Sequence, residues 1–300
     1  MQNDTVKKQL ALLDSKPFFD VELSAACNLH CTMCPHGKIT RPKGTMAGEV
    51  LEGLAGWLPP GAHVVLSGLG EPLLHPETVS FVVRLKERGH TVALTTSGVL
   101  LDGKTAEGLI SSGLDILYLS FPSLDPGVYE TIMRGARFDS VMENLRRWSR
   151  LKPPDLRAYL AVTVLDGNRA EVGELKVFAS SLGFTPYVRP VHSRAGILYD
   201  PGLPVSKQRA PCGIFAKVTF VDWRGDVLAC CNDPAGETRL GSVLEDDFES
   251  IRAHKRDLIE TGTLFPPCAR CDDDFRSRLL ETVSFHRRAR TSSMATPRSR

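Results

Sequence analysis

Up to residue 192 the chain alternates short apolar stretches of strand character with longer stretches of helical period. Residues 18–23 (FFDVEL), 62–67 (AHVVLS), 91–96 (TVALTT), 115–120 (DILYLS), 156–165 (LRAYLAVTVL) and 185–192 (TPYVRPVH) read as strands. Helices are expected over 47–57, 77–88, 104–112, 125–133, 140–150 and 169–182, with Gly89 and Gly113 as stops. Six strand–helix units in series are the pattern of a parallel sheet or barrel with crossover helices. In such folds the chemistry gathers at the C-terminal ends of the strands. The unusual residues fall there: a cysteine loop, residues 68–71, Ser97-Gly98, Ser120, Asn168, and Arg189 to Arg194.

The pattern changes after Ala195. Pro201, Pro204 and Pro211 mark a connection. Two strands, 215–221 and 226–229, then flank a hairpin turn at Trp223-Arg224-Gly225. A helix is expected over 247–261, and Pro266-Pro267 leads into Cys268-Ala269-Arg270-Cys271. This section is small and cysteine-rich.

Composition narrows the class. The chain is 42% hydrophobic and 24% charged, as an ordinary globular protein is. No apolar run reaches the ~18 residues of a membrane-spanning helix. The first residues lack the apolar core and cleavage site of a secretory signal. The formal net charge of +2 hides an asymmetry, because residues 287–300 hold five arginines and no acid. The body is therefore mildly acidic, and no nucleic-acid surface is expected. Residues 286–300 are expected to form a disordered basic tail.

The eight cysteines are unevenly spread. In a chain without a secretion signal, close-set cysteines point to metal or redox chemistry and a reducing, cytoplasmic location. Cys27, Cys31 and Cys34 form C-x3-C-x2-C straight after a strand. Three thiolates can hold three irons of a cubane and leave the fourth open to a ligand. Structural zinc, completed by His30 or His36, is the alternative. Cys212, Cys230, Cys268 and Cys271 form C-x12-G-x4-C…C-x2-C with Gly225 as the glycine, a closed set of four that fits a second iron–sulfur cluster or zinc. Cys231 is left over.

The triplet and its position resemble the signature of radical S-adenosylmethionine (SAM) enzymes. Gly68-Leu69-Gly70-Glu71-Pro72 resembles that family's GGEP element, and Thr96-Ser97-Gly98 its TNG strand end. The second cysteine set resembles the twitch domain, a shortened SPASM domain, since no further cysteine follows Cys271. The resemblance implies an α/β fold, a partial (β/α)6 barrel with a small cysteine-rich α+β C-terminal domain. Its divisions are an N-terminal extension (1–17), the barrel (18–198), the auxiliary-cluster domain (199–285) and the tail. It implies two 4Fe–4S clusters and SAM, and a flavodoxin- or ferredoxin-type reductant. Met33, Gly68, Gly70, Glu71, Ser97, Ser120 and Asn168 are the implied cofactor-binding positions. The glycines would let backbone approach the methionine moiety.

In the family, a 5′-deoxyadenosyl radical abstracts hydrogen from the substrate. Among twitch-bearing enzymes the chain resembles dehydrogenases of the aminocyclitol 2-deoxy-scyllo-inosamine in antibiotic biosynthesis. That implies oxidation of a carbinol carbon in a small molecule, with Arg194 or Arg189 in the position of the base. Arginine ordinarily stays protonated, so either could instead bind substrate. Epimerisation of a sugar or aminoglycoside, with Cys231 returning the hydrogen, is the rival. Peptide maturation is the third reading. The seventeen or so residues before the first strand weigh against a leader-binding domain. A zinc-stabilised binding or electron-transfer protein is the non-enzymatic alternative.

Overall fold

The computed structural model describes residues 2–199, 202, 212–263 and 265–292. Pro201, Pro204 and Pro211 of the expected connection, and residues 293–300 of the tail, lie outside the described residues.

Helix α1 (Gln2–Leu13) precedes β1 (Phe18–Val21), α2 (Gly48–Trp57) and β2 (His63–Leu66). There follow α3 (Thr78–Glu87), β3 (Thr91–Thr96), α4 (Gly103–Ser111), β4 (Ile116–Ser120), α5 (Pro126–Ile132) and α6 (Phe138–Leu151). Next come β5 (Arg157–Val164), α7 (Val172–Ser181) and β6 (Thr185–Pro190). The C-terminal section holds α8 (Gly213–Lys217), β7 (Val218–Val221), β8 (Asp226–Leu228), β9 (Arg239–Ser242), α9 (Phe248–Thr261) and α10 (Phe275–Ser292).

All nine strands form one sheet, in the order β6-β5-β4-β3-β2-β1-β7-β8-β9. Strands β1 to β6 are parallel and neighbour one another in chain order, as six successive strand–helix units require. Strand β7 joins the free side of β1 in parallel, with Phe18 opposite Val218. β8 and β9 add to it as an antiparallel meander. One sheet thus carries both cysteine sets.

Period-two alternation sorts the barrel side chains. Phe19, Val21, Val64, Leu66, Leu117 and Leu119 are buried, under the helices. Their alternates Phe18, Asp20, His63, Val65, Tyr118 and Ser120 are half-exposed. These alternates face the lumen, where Tyr118, Tyr159 and Tyr187 pack together with ring centroids 4.9 to 6.4 Å apart.

The structure departs from the expectations, or adds to them, at five points. Residues 213–217 are helical, so the strand expected over 215–221 begins only at Val218; Cys212 caps this turn by accepting the Phe215 N–H at 3.4 Å. The helix expected from Arg169 starts as a 3₁₀ turn over Asp166–Glu171. Strand β9 was not anticipated, because RLGS is too short and too polar to announce itself. The N-terminal extension is largely helix, and Leu12 packs with Ala216, Ile259 and Leu280 in a small second core. Helix α10 continues through Ser292, past the residue 286 at which the tail was expected to begin.

Leu119 lies wholly buried and touches the position where a Gly98 side chain would be, at 3.3 Å. Leu119→Ala should destabilise the protein by about 2–5 kcal/mol, read as a lower urea midpoint at unchanged slope.

Candidate functional site

The cysteine loop leaves β1 and is held on three sides. The Glu22 N–H donates to Val221 (2.9 Å), Ala25 N–H to Gly44 (2.8 Å) and Thr32 N–H to Ile132 (2.9 Å). The Cys34 N–H closes a turn onto the Cys31 carbonyl at 3.1 Å. Cys31 Sγ sits 3.5 Å from Met133 Sδ. Burial pushes all three thiols up, and mutual repulsion adds at Cys27 and Cys31; Cys31 reaches about 12. Arg194 opposes the shift at Cys34. As thiolates the three therefore call for a bound cation. His36 Nε2 is 3.0 Å from the Ala25 carbonyl oxygen, and burial keeps the ring neutral. Among the described residues no three His, Cys, Asp or Glu side chains are gathered to hold a single metal ion. A cubane spreads its thiolates over separate corner irons, and the triplet fits that group.

The glycine turn has a different reason from the one its sequence suggests. A Cβ on Gly70 would fall 2.0 Å from the Ser24 carbonyl oxygen and 2.5 Å from that of Ala26. Gly68, at φ +112°, would meet Glu22 Cγ at 2.6 Å. What these glycines admit is the cysteine loop itself. Glu71 is likewise turned inward. Its carboxylate accepts from Thr96 Oγ1 (2.8 Å), Ser97 N–H (2.9 Å), Ser97 Oγ (2.8 Å) and Leu73 N–H (3.2 Å). Burial raises its pKa, and these donors pull it back. Glu71 and Ser97 thus lock the turn to the end of β3.

Asn168 is also consumed internally. Its amide donates to Pro122 (2.8 Å) and Thr163 (2.9 Å), and its carbonyl accepts the Leu165 N–H (2.7 Å). With no exposed surface, it pins the turn after β5. Ser120 is the last residue of β4, half-exposed toward the lumen. Met33 lines a cavity of about 280 Å³ with Thr32, Leu165, Asp166, Val191 and Tyr199.

The loop after β6 carries the two arginines to different ends. Arg189 pairs with Asp273 at 3.2 Å and lies over the Phe275 ring. It joins β6 to the second cysteine section. Arg194 sits nearer the lumen, where its charge is felt by Cys34, Asp20 and His192. Its Nη1 reaches Asn232 Oδ1 at 3.5 Å. Arg194 and Ala195 have φ of +53° and +60°, conformations that side chains disfavour. Asp272 holds this bend by accepting the Ser193 N–H (2.9 Å) and Oγ–H (2.6 Å). Such strain persists where surroundings over-determine it, commonly at working sites.

Asp20, missed in the sequence, is the lumen's notable acid. It accepts a hydrogen bond from Ser67 Oγ and feels the charge of Arg194. Burial raises its pKa to about 6 despite both. The clue was present: a charged residue in the middle of an apolar strand, on the face opposite Phe19 and Val21.

The second cysteine set assembles between α8, β8 and the turn Pro266–Arg270. Cys212 is pushed up to about 11 by burial, with Cys268 and Cys271 adding. Cys230 accepts the Asn232 N–H at 3.4 Å and feels Cys212. The neighbouring Cys231 thiol, together with burial, raises Cys230 well above the ordinary thiol range. Gly225, at φ +86°, makes the hairpin turn that returns the chain to them.

A barrel with a cysteine triplet in the loop after its first strand and a second cysteine set in the section beside it defines a class. The profile of the Radical SAM superfamily matches residues 21–179, more than half of the chain. That of the SPASM iron–sulfur cluster-binding domain matches residues 212–272. The chain belongs to the radical SAM superfamily, and it carries an auxiliary-cluster section. A SAM-binding 4Fe–4S cluster and additional iron–sulfur chemistry are its cofactors. A GTP 3′,8-cyclase of Chlorobaculum tepidum is 35% identical over 173 residues, 53% of this chain and 50% of that protein. A tungsten-containing aldehyde ferredoxin oxidoreductase cofactor-modifying protein of Pyrococcus furiosus is 29% identical over 107 residues, 35% of this chain and 30% of that one. The chain spans about half or less of these relatives' length. Among solved structures, BtrN with AdoMet and 2-DOIA superposes with TM-score 0.58 at 17% identity, over 86% of this chain and 94% of that one. Native anSMEcpe with bound AdoMet gives 0.62 at 15%, over 92% and 99%. At these identities the likeness is one of fold.

Two measurements test this geometry. Glu22 and Arg41 form a buried ion pair at 2.7 Å behind the glycine turn. Arg41→Met should cost about 3–5 kcal/mol, and the Glu22→Gln/Arg41→Met double variant clearly less than the sum of the single changes. Asp20→Asn should melt higher than the parent at pH 7.5. The raised carboxyl makes the folded state hold a costly charge above pH about 6. The advantage should vanish near pH 3.8, the ordinary value, below which both states are protonated.

Proposed function

We propose that this chain oxidises a carbinol carbon of a small sugar- or aminocyclitol-type molecule bound in the barrel lumen. The observation that carries the reading is Asp20, a buried carboxyl on the lumen side of β1 that is held by Ser67 and feels the charge of Arg194. Arg194 feels Cys34 on one side and touches Asn232, next to the Cys230–Cys231 pair, on the other. When bound, the cofactors supply a hydrogen-abstracting radical at the triplet and an electron acceptor at the second site. The chain's own residues do the rest. Asp20 takes the hydroxyl proton, a task for which a carboxyl near pKa 6 is suited and a guanidinium is not. Arg194 steadies the negative oxygen left behind. The substrate thus loses a hydrogen atom, a proton and an electron, and becomes a carbonyl compound.

Cofactor roles follow the same geometry. Cys27, Cys31 and Cys34 hold the SAM-binding cluster. Gly68, Gly70, Glu71 and Ser97 shape the wall beside it by bracing the loop. The cavity at Met33, with Tyr199 and Leu165 on its walls, suits a flat adenine. Ser120, partly exposed at the end of β4, meets the ribose in this reading, whereas Asn168 acts through the turn it pins. Cys212, Cys230, Cys268 and Cys271 hold the auxiliary cluster, and Cys231 stands beside it as the spare thiol. Arg189, spent on Asp273, braces rather than reacts.

A second reading is radical chemistry on a nucleotide, which the likeness to GTP 3′,8-cyclases favours. The lumen's charge weighs against a triphosphate. Among the described residues Arg189 is paired with Asp273, the cavity's Arg169 with Asp166, and the Arg194 charge is felt by Asp20.

Reconstituted protein should hold about eight irons, falling to about four when all three triplet cysteines are replaced by alanine. That variant should form no 5′-deoxyadenosine. Incubation with candidate aminocyclitols, sugars and GTP, followed by mass spectrometry, separates the reactions. Oxidation lowers the substrate mass by two hydrogens. Unchanged mass with one solvent deuterium incorporated would instead mean epimerisation, and turnover of GTP alone would mean the nucleotide reading. Asp20→Asn should lower substrate oxidation by about 100-fold or more while SAM cleavage persists. In the parent, oxidation should fall as pH drops below about 6, where Asp20 takes up its proton.

A further inference from the structure

Lys255 is a charge the reaction above does not use. It projects from α9 into the interior behind the second cysteine set and is 2% exposed. Its Nζ donates to the Val218 carbonyl (2.9 Å) and to Thr219 Oγ1 (3.2 Å), and lies 5.4 Å from the centre of the Phe215 ring. An ammonium has three N–H groups, so one remains beyond these two bonds. No carboxylate among the described residues forms an ion pair with it. The Phe215 ring it lies over belongs to the residue whose N–H donates to Cys212 Sγ at 3.4 Å, and among the described residues Cys212 is the group whose charge favours the ammonium. A buried ammonium without an anion costs several kcal/mol, so such residues are rare unless a partner is close. Without one, burial lowers Lys255 to about 7.

The missing anion is at hand once the second site is filled. Four thiolates on an iron–sulfur core make a net negative group, and an added electron makes it more negative. We infer that Lys255 is the buried counter-charge of the auxiliary cluster and raises its reduction potential, so that the cluster can accept the electron from the substrate. The inference rests on the assignment of that cluster to Cys212, Cys230, Cys268 and Cys271. A cation fixed on the Cys212 side stabilises the reduced cluster more than the oxidised one, because attraction grows with charge. A purely structural lysine, tying α9 to β7, would leave the potential where it is.

The test uses the full chain with Cys27, Cys31 and Cys34 all changed to alanine, so that the auxiliary cluster is observed alone. Its midpoint potential is read by redox titration followed by electron paramagnetic resonance. Lys255→Met should keep the iron content and line shape but shift the oxidised-to-reduced ratio at fixed potential at least tenfold toward oxidised, a lowering of about 59 mV. Lys255→Arg should stay close to the parent. Lys255→Gln retains an N–H donor for Val218 and Thr219 and gives the same readout if the methionine variant does not fold. A folded neutral variant with the parent's potential overturns the inference. A triplet-free parent that binds no iron overturns instead the cluster assignment beneath it.

Discussion

Glu22 and Arg41 form the contact on which the working end of this barrel depends. Both are buried, 2.7 Å apart, just beyond the end of β1. Glu22 also accepts the Leu69 N–H at 2.9 Å, in the glycine turn. Arg41 comes from the stretch after the cysteine triplet, and its backbone N–H donates to Pro234 at 3.0 Å, beyond Cys230 and Cys231. Its guanidinium reaches toward Asp222 at 3.9 Å, where β7 turns into β8. Burial raises the Glu22 pKa, and Arg41 opposes that. The pair thus ties the triplet loop, the glycine turn and the auxiliary hairpin to one point. Such a pair contributes little net stability but is costly to break, and here it acts as a register device.

The sheet extends that coupling. Because β7 pairs directly with β1, the strand that launches the triplet and the strand that precedes Cys230 are neighbours in fixed register. The opposite edge is closed by acids rather than strands. Asp272 clamps Ser193, and Asp273 pairs with Arg189 and stands 3.6 Å from His192. The acidic run after Cys271 therefore holds the strained bend of Arg194 over the lumen. The two cysteine sites and the residues between them form one assembly, and a loss of order in the C-terminal section would loosen Arg194 as well.

Much of this was legible in advance wherever a periodic pattern met a chemical one. The six parallel strands were, because their apolar runs are bounded by glycines and caps. Both cysteine sets were, because their spacing is rare outside metal chemistry. Less legible was the role of each glycine, glutamate and asparagine at the strand ends. Gly70, Glu71, Ser97 and Asn168 have the residue types of a ligand site, yet each is spent on protein neighbours. Residue type records a capacity for hydrogen bonding and not its direction. Asp20, Asp272 and Lys255 passed unnoticed for a related reason. A single charged residue in a strand or helix has no period, and its meaning comes from what faces it.

By itself, then, the sequence determined the strand–helix succession, the two cysteine sets and the class of chemistry. Local periodicity and short-range spacing are written in neighbouring residues and survive without a fold. Only the tertiary structure decided that the auxiliary section continues the barrel's own sheet, that the glycine turn packs on the cysteine loop, and that Asp20 is buried where it feels the charge of Arg194. Those facts join residues up to about two hundred positions apart. Burial sets their charge states and packing their distances, and both exist only once the chain has closed on itself.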